Sequence, residues 1–275
     1  MRSRDEDGPV GEASSDSDGP RFTFNGAVHF EGREDRLTGD AGALLLREVD
    51  ERVGLTAGLA AALTDPRNPI FVTHPLVELL RTRIYAMGLG HRDQDDADRL
   101  RMDPALRLSV SERRGTAPLE ESEGLVPNGL SSQPTQSRLV STLTIPENVV
   151  VLSQAPFDWA VRVAEKARQL PLPQATLDVD SLPIEVHGEQ AGSANNGYYH
   201  TRCYHPITVM LHETSDFLAG RLRPGNVHSA DGVLDFLKPV IARARTEFSP
   251  NVVVRGDADV PRRQNRRRGE RGPRE

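Results

Sequence analysis

The chain has 275 residues, enough for more than one domain. Its formal net charge of -6 and pI near 5.8 give no global attraction to nucleic acid, so any contact with DNA needs a local basic patch. Its single cysteine, Cys203, excludes an intramolecular disulfide and suits a reducing compartment, for which the cytoplasm is the default. No apolar run approaches the roughly 20 residues of a membrane helix, and the N-terminus is acidic where a signal peptide is basic and then apolar, which argues against membrane insertion and secretion.

The first 20 residues, MRSRDEDGPVGEASSDSDGP, are acidic, rich in Ser and Gly and nearly free of large apolar residues. Such a segment cannot offset its ordering entropy by burial, so we predict a disordered tail over residues 1–20.

Two apolar patterns after the tail predict core helices. The first begins at Thr38 or Asp40, either of which can cap it, and its apolar residues at near-helical spacing are Leu44, Leu45, Val49, Val53 and Leu55. The second has Pro75 in its first turn and ends at Gly88 or Gly90, and the residues that it turns inward are Leu76, Leu79, Leu80, Ile84 and Met87.

Two further helices are predicted before the chain changes character. In SSQPTQSRLVSTL, Ser131 or Ser132 can cap a short helix, which either enters a DNA groove or only links two parts of the chain. The segment PFDWAVRVAEKARQLPLP predicts another helix, closed by Pro171 and Pro173. This proline pair is the predicted domain boundary, so residues 21–173 form a mainly helical N-terminal region with a candidate role in DNA binding.

The second half mixes strands with one helix. Strands are predicted at QATLDVDS, PIEVH, CYHPITVMLHE and FLAGRLRPGN, and the last two pair across the turn at 214–216. A helix capped by Ser229 follows, and it should pack four residues against the sheet: Phe236, Leu237, Val240 and Ile241. The buried-looking strand NVVVRGDAD comes next, and a right-handed crossover through the helix would return it parallel and adjacent to an earlier strand. The pattern of residues 174–260 therefore predicts a domain with a mixed sheet.

Two carboxylates interrupt the first of these strands, TLDVDS. Successive side chains of a strand point to opposite faces, so Leu177 and Val179 share the buried face. Asp178 and Asp180 share the other face, roughly 6 to 7 Å apart, which is costly unless a cation binds there. The crossover brings Asp257, at the end of the last strand, beside Asp180, and we expect the two carboxylates within about 8 Å of each other.

Carboxylates on neighbouring strands form an oxygen-ligand site for a hard divalent ion such as Mg²⁺. Two such ions about 3.5 to 4 Å apart stabilise both oxygens of an in-line phosphoryl displacement, which is the chemistry of nucleases and of strand transfer. The residues by themselves leave a structural alternative, because GDAD is also typical of a loop and DVD of a polar edge.

Three segments of the second half are TLDVDSLPIEVHGEQAGSANNGYYHTRCYHPITVML, FLAGRLRPGNVHSADGVLDFL and NVVVRGDAD. They resemble DDE-type transposases of bacterial insertion sequences, specifically the family numbered 1380. In the N-terminal half LTGDAGALLLREVDERVGL, DPRNP, HRDQDDADRLRMDPAL and SSQPTQSRL resemble the helical region of that family. The resemblance implies an α+β protein, in which the helical region precedes an RNase H-like catalytic α/β domain over 174–260 that cuts and joins DNA.

The resemblance also implies site residues and partners. Asp180 matches the first acid of the family's catalytic triad and Asp257 the second, and both would hold Mg²⁺, of which the intact family site binds two ions. Asp178 competes with Asp180 for the first place. The implied partners are the DNA of the element's ends and of the target, and further copies of the chain, since the intact enzyme would be a homo-oligomer.

The sequence departs from the family pattern after Asp257. The family continues with a small residue, Gly and an aromatic residue, whereas this chain continues DADVPRRQNRRRGERGPRE, with arginine at seven of the last fifteen residues. The basic segment 261–275, predicted to be disordered, is either an arm that binds DNA or the out-of-frame translation of a decayed gene. The sequence contains no later helix with the family's third acid, a glutamate. We therefore expect an incomplete domain and a truncated, inactive copy, and we leave open whether the chain is an enzyme.

Two other functions compete with that of a transposase. The first is a non-catalytic fragment that binds DNA or oligomerises and competes with intact transposase, and the second is a housekeeping nuclease of RNase H type, which would need the same third acid. Three arginines are candidate DNA contacts: Arg202 among the aromatics of GYYHTRCYHP, and Arg221 and Arg223 on one strand face. The alternatives are a hairpin that packs its tyrosines and arginines that face solvent.

Overall fold

The computed structural model describes residues 22–26, 28, 39–112 and 129–256. The chain forms two compact units, Met1–Ile145 and Pro146–Glu275. The described part of the first unit is helical and that of the second contains two sheets, so the fold class is α+β as predicted. The predicted tails 1–20 and 261–275 lie outside the described residues. Within the described ranges no helix has the length and apolarity needed to cross a membrane.

The described part of the first unit consists of α1 Ala43–Val53, α2 Leu55–Ala62, a 3-10 helix Pro69–Phe71, α3 Leu76–Gly88, α4 Asp96–Leu100, α5 Pro104–Val110 and α6 Gln133–Leu143. Gly54 both ends α1 and begins α2, with a φ of 70° that a side chain rarely adopts. Asp103 begins α5 by accepting a hydrogen bond from the backbone N of Leu106 at 2.9 Å. The helix predicted in SSQPTQSRLVSTL is α6, so that prediction is confirmed.

The face of α1 that lies in the core is polar, which contradicts the predicted orientation. Leu45 and Val49, predicted to point inward, are 51% and 52% exposed. The buried residues of this helix are Ala43, Arg47 and Asp50. The apolar periodicity was misleading because α1 buries charged side chains that find their partners on other helices.

Asp50, Thr56, Arg81 and Tyr85 form a buried polar cluster between α1, α2 and α3. Asp50 accepts hydrogen bonds from the backbone N of Thr56 at 2.7 Å, from the Thr56 hydroxyl, and from the Tyr85 hydroxyl at 2.6 Å. Arg81 Nε lies 3.3 Å from the same carboxylate. Burial raises the pKa of Tyr85 above its usual range, so its hydroxyl keeps the proton that it donates to Asp50. The cluster satisfies every one of these charged or polar groups inside the helical unit.

The orientation of α3 is mostly as predicted. Leu76, Leu79 and Leu80 are buried and the helix ends at Gly88, whereas Met87 is half exposed. Besides these leucines, α3 buries Arg81 and Tyr85, both members of the buried polar cluster.

The described part of the second unit consists of α7 Pro146–Lys166, β1 Ala175–Ser181, β2 Ile184–Glu185, β3 Ala194–Asn196, β4 Thr201–Tyr204, β5 Ile207–Leu211, β6 Asp216–Arg221, α8 Val233–Glu247 and β7 Val252–Gly256. The main sheet has the strand order β6-β5-β1-β7, and a small sheet has the order β2-β4-β3. β1 runs antiparallel to β5 and parallel to β7. The predicted mixed sheet and the return of the last strand beside the first are therefore confirmed.

One face of the main sheet packs against α7 and α8. Its fully buried strand residues include Leu177, Val209, Leu211 and Leu218. The four residues predicted for the inner face of α8 all belong to this core or pack on it: Phe236, Leu237, Val240 and Ile241. The helix begins after Gly232, which has a φ of 69°, and not at the predicted cap Ser229. The packing of α8 on the sheet is confirmed.

Helix α7 belongs to the second unit. It begins at Pro146, earlier than the predicted helix, and contains Pro156 in its interior. Phe157, Ala160 and Ala164 on its inner face lie in the core of the main sheet. Since this apolar stripe packs on the sheet, the division between the units lies before α7, whereas the proline pair had placed the domain boundary at residue 173.

Strand β7 exists as predicted but is not buried. Val253 and Val254 are exposed, and among the described residues β7 pairs with β1 alone. An edge strand with apolar side chains in solvent leaves this side of the described sheet uncovered.

Candidate functional site

Asp178 and Asp180 lie on the face of β1 opposite to the core. In the register with β5, Asp178 lies opposite Met210 and Asp180 lies opposite Thr208. The residues that alternate with them, Leu177 and Val179, are buried in the core. The predicted alternation of β1 is therefore confirmed, and the two acids share one face of the main sheet.

The Asp178 carboxylate is paired with a cation from the neighbouring strand. Arg255 lies opposite it in the β1–β7 register, and its Nε and Nη2 donate to Asp178 Oδ1 and Oδ2 at 2.7 and 2.8 Å. His212 Nδ1 lies 3.3 Å from Oδ2. The hydrogen bond from Arg255 is the main cause that holds the pKa of Asp178 below its usual range, against the opposing effect of burial. This fork-shaped pairing neutralises Asp178 within the protein.

A titration of the Asp178 carboxyl, followed by its ¹³C NMR shift, is expected to give a midpoint below the ordinary value of 3.8. Because the folded-state pKa is lowered, the stabilisation from the pair is present at neutral pH and is lost as the pH falls from about 4 through the folded-state pKa. Replacing Arg255 with glutamine should raise the midpoint. Arg243→Gln removes an arginine that pairs with Asp158 instead and should leave it unchanged. An unchanged midpoint in Arg255→Gln would refute the pairing.

Asp180 differs from Asp178 in having no cation beside it among the residues that the structure describes. Its side chain is exposed, and its Oδ1 accepts a hydrogen bond from the backbone N of Ser181 at 2.7 Å. Over the described ranges 39–112 and 129–256, no basic side chain lies within ion-pair distance of its carboxylate. Asp180 therefore presents an uncompensated negative charge near the end of β1.

The second predicted acid, Asp257, lies outside the described residues. The described β1–β7 register runs from Ala175 opposite Val252 to Val179 opposite Gly256. Asp257 follows Gly256 in the sequence. Within the part of the chain that the structure describes, no group of three or more His, Cys, Asp or Glu side chains is arranged to hold a metal ion. The described residues thus contribute Asp180 to a candidate metal site, and its predicted partner Asp257 stays a prediction.

Two of the three arginines predicted to contact DNA have different surroundings. Arg221, the last residue of β6, is exposed, and its guanidinium lies 5.1 Å from the centre of the Phe236 ring. Arg202 in β4 is half-buried and donates from Nε to Ser193 Oγ at 2.7 Å. Arg221 is thus the more accessible of the two to a phosphate group.

Arg223 does not lie on the strand surface where it was predicted, because the residue is buried and only 6% exposed. Its Nε donates to the carbonyl of His205 at 2.9 Å, its Nη1 to the carbonyl of Asp231 at 2.8 Å, and its Nη2 to Ser181 Oγ at 2.9 Å. β6 ends at Arg221, so the alternation that placed both arginines on one face does not extend to Arg223. This guanidinium connects the end of β1 to the segments before β5 and α8, and its donors are used inside the protein.

Sequence reasoning did not find the pairs Arg255–Asp178 and Arg223–Ser181. The first had a usable signal, because Arg255 stands two residues before Asp257 in the predicted strand NVVVRGDAD, and residues two apart in a strand point to the same face. The second had none, since a buried arginine in a loop has no periodicity. The first pair includes Asp178, two residues before Asp180 on β1. The second includes Ser181, the residue after Asp180.

Residues 21–266 match the protein-family model described as transposase DDE domain group 1. No curated protein matches the chain, and no solved structure matches it. The matched range includes most of both units and the three acids Asp178, Asp180 and Asp257.

Proposed function

The chain belongs to the transposase DDE domain group 1 family, and on that premise we propose that it is the transposase of an insertion sequence of family 1380. Members of the matched family act on DNA and generally use divalent metal ions. The proposed reaction is Mg²⁺-dependent cleavage of DNA strands and their transfer to a target. The observation that supports it most is Asp180, an exposed acid without a cation beside it in the described chain, on the strand that runs parallel to β7.

Asp180 is the proposed first catalytic acid, and Asp178 is its neighbour in the site. Asp178 already binds Arg255 through both carboxylate oxygens, so a metal ion would have to displace a guanidinium. Asp180 uses Oδ1 for one hydrogen bond with the Ser181 amide, which limits rotation of the carboxylate without neutralising it. An oriented carboxylate with no cation beside it among the described residues fits a metal ligand better than one that already binds a guanidinium.

Asp257 is the proposed second acid. The described parallel pairing ends with Val179 opposite Gly256, and one further residue on each strand gives Asp180 and Asp257. We propose that the pairing continues by this one step, which would bring both carboxylates to the same end of the sheet. The prediction that they lie within about 8 Å of each other remains to be measured.

Asp180 and Asp257 fit Mg²⁺, because hard divalent cations prefer carboxylate oxygens. When bound, the ions would activate a water molecule or a DNA 3′ hydroxyl and stabilise the negative charge that develops on the phosphate. The contribution of the described residues is orientation. Ser181 fixes the Asp180 carboxylate through its amide, and Arg223 fixes Ser181 through its hydroxyl.

The proposal for this particular chain includes the sequence-based prediction that it is a truncated copy in which the family's third acid is missing. Two observations support this proposal: the arginine-rich sequence after Asp257 departs from the family pattern, and the valines of β7 are exposed among the described residues. The same observations favour the second candidate function, a fragment that binds DNA or a second copy and competes with intact transposase. Under either function we propose that the chain alone binds DNA without cutting it, and Arg221 is the exposed arginine proposed for phosphate contact.

The test is to incubate the purified chain with Mg²⁺ or Mn²⁺ and DNA that carries the parent element's ends. We expect binding that weakens as salt rises, because phosphate contacts release counterions, and no nicked or joined product. Asp180→Ala and its neighbour variant Asp178→Ala serve as the matched pair. Product that disappears in Asp180→Ala but not in Asp178→Ala would show that the chain is active and would contradict its proposed inactivity. The absence of any DNA binding would contradict the transposase and the DNA-binding fragment, and would leave only a fragment that binds a second copy.

A further inference from the structure

The small sheet is inserted in the chain after the end of β1, where Asp180 lies. β1 leaves the main sheet at Ser181 and β5 enters it at Ile207, and these two residues pair with each other. The strands β2, β4 and β3 form the whole small sheet, and all three lie in the chain between those two residues. This insertion therefore begins directly after Ser181, two residues after Asp180.

The turn between β3 and β4 exposes an aromatic side chain. Tyr198 in this turn is 84% exposed, and its ring meets that of Tyr199 at a right angle with 4.9 Å between the centroids. The alternative that the hairpin packs its tyrosines is therefore wrong for Tyr198. Tyr198 is almost twice as exposed as its neighbour Tyr199, which is 44% exposed, so most of its ring surface is accessible to a planar ligand.

The turn is held in one conformation by side-chain hydrogen bonds. Asn196 Oδ1 accepts from the backbone N of Tyr198 at 2.9 Å and of Tyr199 at 3.1 Å, while its Nδ2 donates to the carbonyl of Gly225 at 2.7 Å. Gly225 approaches the small sheet so closely that a Cβ there would lie 2.3 Å from the carbonyl oxygen of Ala194. His200 adopts a φ of 54°, which is rare for a residue with a side chain. The exposed ring is thus preorganised.

A series of direct contacts connects this turn to Asp180. The rings of Tyr199 and His205 pack edge to face, with centroids 6.4 Å apart and 72° between their planes. His205 and Arg223 exchange two hydrogen bonds of 2.9 Å, between the amide of His205 and the carbonyl of Arg223 and between Arg223 Nε and the carbonyl of His205. Arg223 then reaches Ser181, the residue after Asp180. The position of Tyr198 is therefore fixed relative to the candidate catalytic acid.

We propose that Tyr198 stacks on an unpaired DNA base beside the strand end that Asp180 would process. This inference rests on the proposed function and extends it by naming the ligand, a single-stranded nucleotide, and the residue that binds it. An aromatic face accepts any base, so the contact tolerates different sequences. The turn segment 195–202, NNGYYHTR, contains no acid and includes one arginine and one histidine, so it does not repel the phosphate that accompanies the base. A protein partner at the same turn is the competing occupant.

The experiment measures binding of the full chain to a duplex with a short unpaired extension that carries 2-aminopurine, and to the blunt duplex. Because stacking does not depend on sequence, a generic duplex suffices. Wild type should quench the 2-aminopurine fluorescence and bind the extended duplex more tightly than the blunt one. Tyr198→Ala should weaken binding of the extended duplex about tenfold, within the range for loss of one base–aromatic stack, and abolish the quenching. Tyr198→Trp should retain both.

Phe71→Ala, which removes an equally exposed aromatic ring from the first unit, is the control and should change neither readout. If wild type binds both duplexes and Tyr198→Ala binds each of them as tightly as wild type does, the inference fails while the proposed function stands. If wild type binds neither duplex, the proposed function fails together with it. A variant that changes only the oligomeric state in size-exclusion chromatography would assign the turn to a protein contact and overturn the stacking role.

Discussion

Replacing Asp50 with alanine is expected to lower the free energy of unfolding of the helical unit by about 3 to 5 kcal/mol, the usual cost of removing one partner from a buried ion pair. The carboxylate is buried and accepts from Thr56, Tyr85 and Arg81. Its loss leaves the buried guanidinium of Arg81 and the hydroxyl of Tyr85 with fewer partners in a region that water does not reach. Urea unfolding followed by circular dichroism gives the measurement.

The control for Asp50→Ala is Arg52→Ala, two residues along the same helix. Arg52 is mostly exposed and pairs with Glu48 at 2.8 Å, an arrangement that contributes about 0.5 kcal/mol or less on a helix surface. Equal small effects from both variants would mean that the buried polar cluster does not stabilise the unit.

Replacing Arg223 with methionine is expected to lower the free energy of unfolding of the second unit by about 2 to 4 kcal/mol. Methionine keeps the apolar stem but leaves the carbonyls of His205 and Asp231 and the hydroxyl of Ser181 without this donor. Burial lowers the pKa of Arg223, yet a guanidinium stays charged at neutral pH, so its contacts persist over the whole working range. Amide hydrogen exchange should show the loss first in the small sheet and at the end of β1.

Arg221→Met is the matched control, because Arg221 is exposed and its contact with the Phe236 ring contributes about 0.5 to 1 kcal/mol. The pair of variants also separates a structural role from DNA binding. If Arg223→Met left stability unchanged and weakened DNA binding instead, the sequence-based assignment of Arg223 as a DNA contact would be right and the buried role wrong.

The sequence predicts those elements whose buried face is apolar. β1, β5 and α8 were predicted because Leu177, Val209 and Phe236 repeat with the period of a strand or a helix, and the structure buries them. α1 could not be oriented in this way, since its core face contains Arg47 and Asp50. A sequence does not distinguish a buried charged residue from a solvated one. The partners of Asp50 in the buried polar cluster come from other helices.

The candidate site divides in the same manner. The period of two in TLDVDS places Asp178 and Asp180 on one face, and the structure confirms it. Which of the two stays without a cation depends on Arg255, which reaches Asp178 only through the register of β1 with β7. That register is a property of the folded sheet, so the sequence left the two acids as competitors.

Binding of Mn²⁺ to the full chain, measured by the loss of the free-ion electron paramagnetic resonance signal, tests most directly the claim that Asp180 and not Asp178 is the metal ligand. Asp180→Asn and Asp257→Asn should each weaken binding by about tenfold or more, a loss that even outer partners of metal sites produce. Asp178→Asn should leave binding within about threefold of wild type, because its carboxylate is already paired with Arg255. Wild-type affinity in Asp180→Asn, or loss of binding in Asp178→Asn, would contradict the assignment.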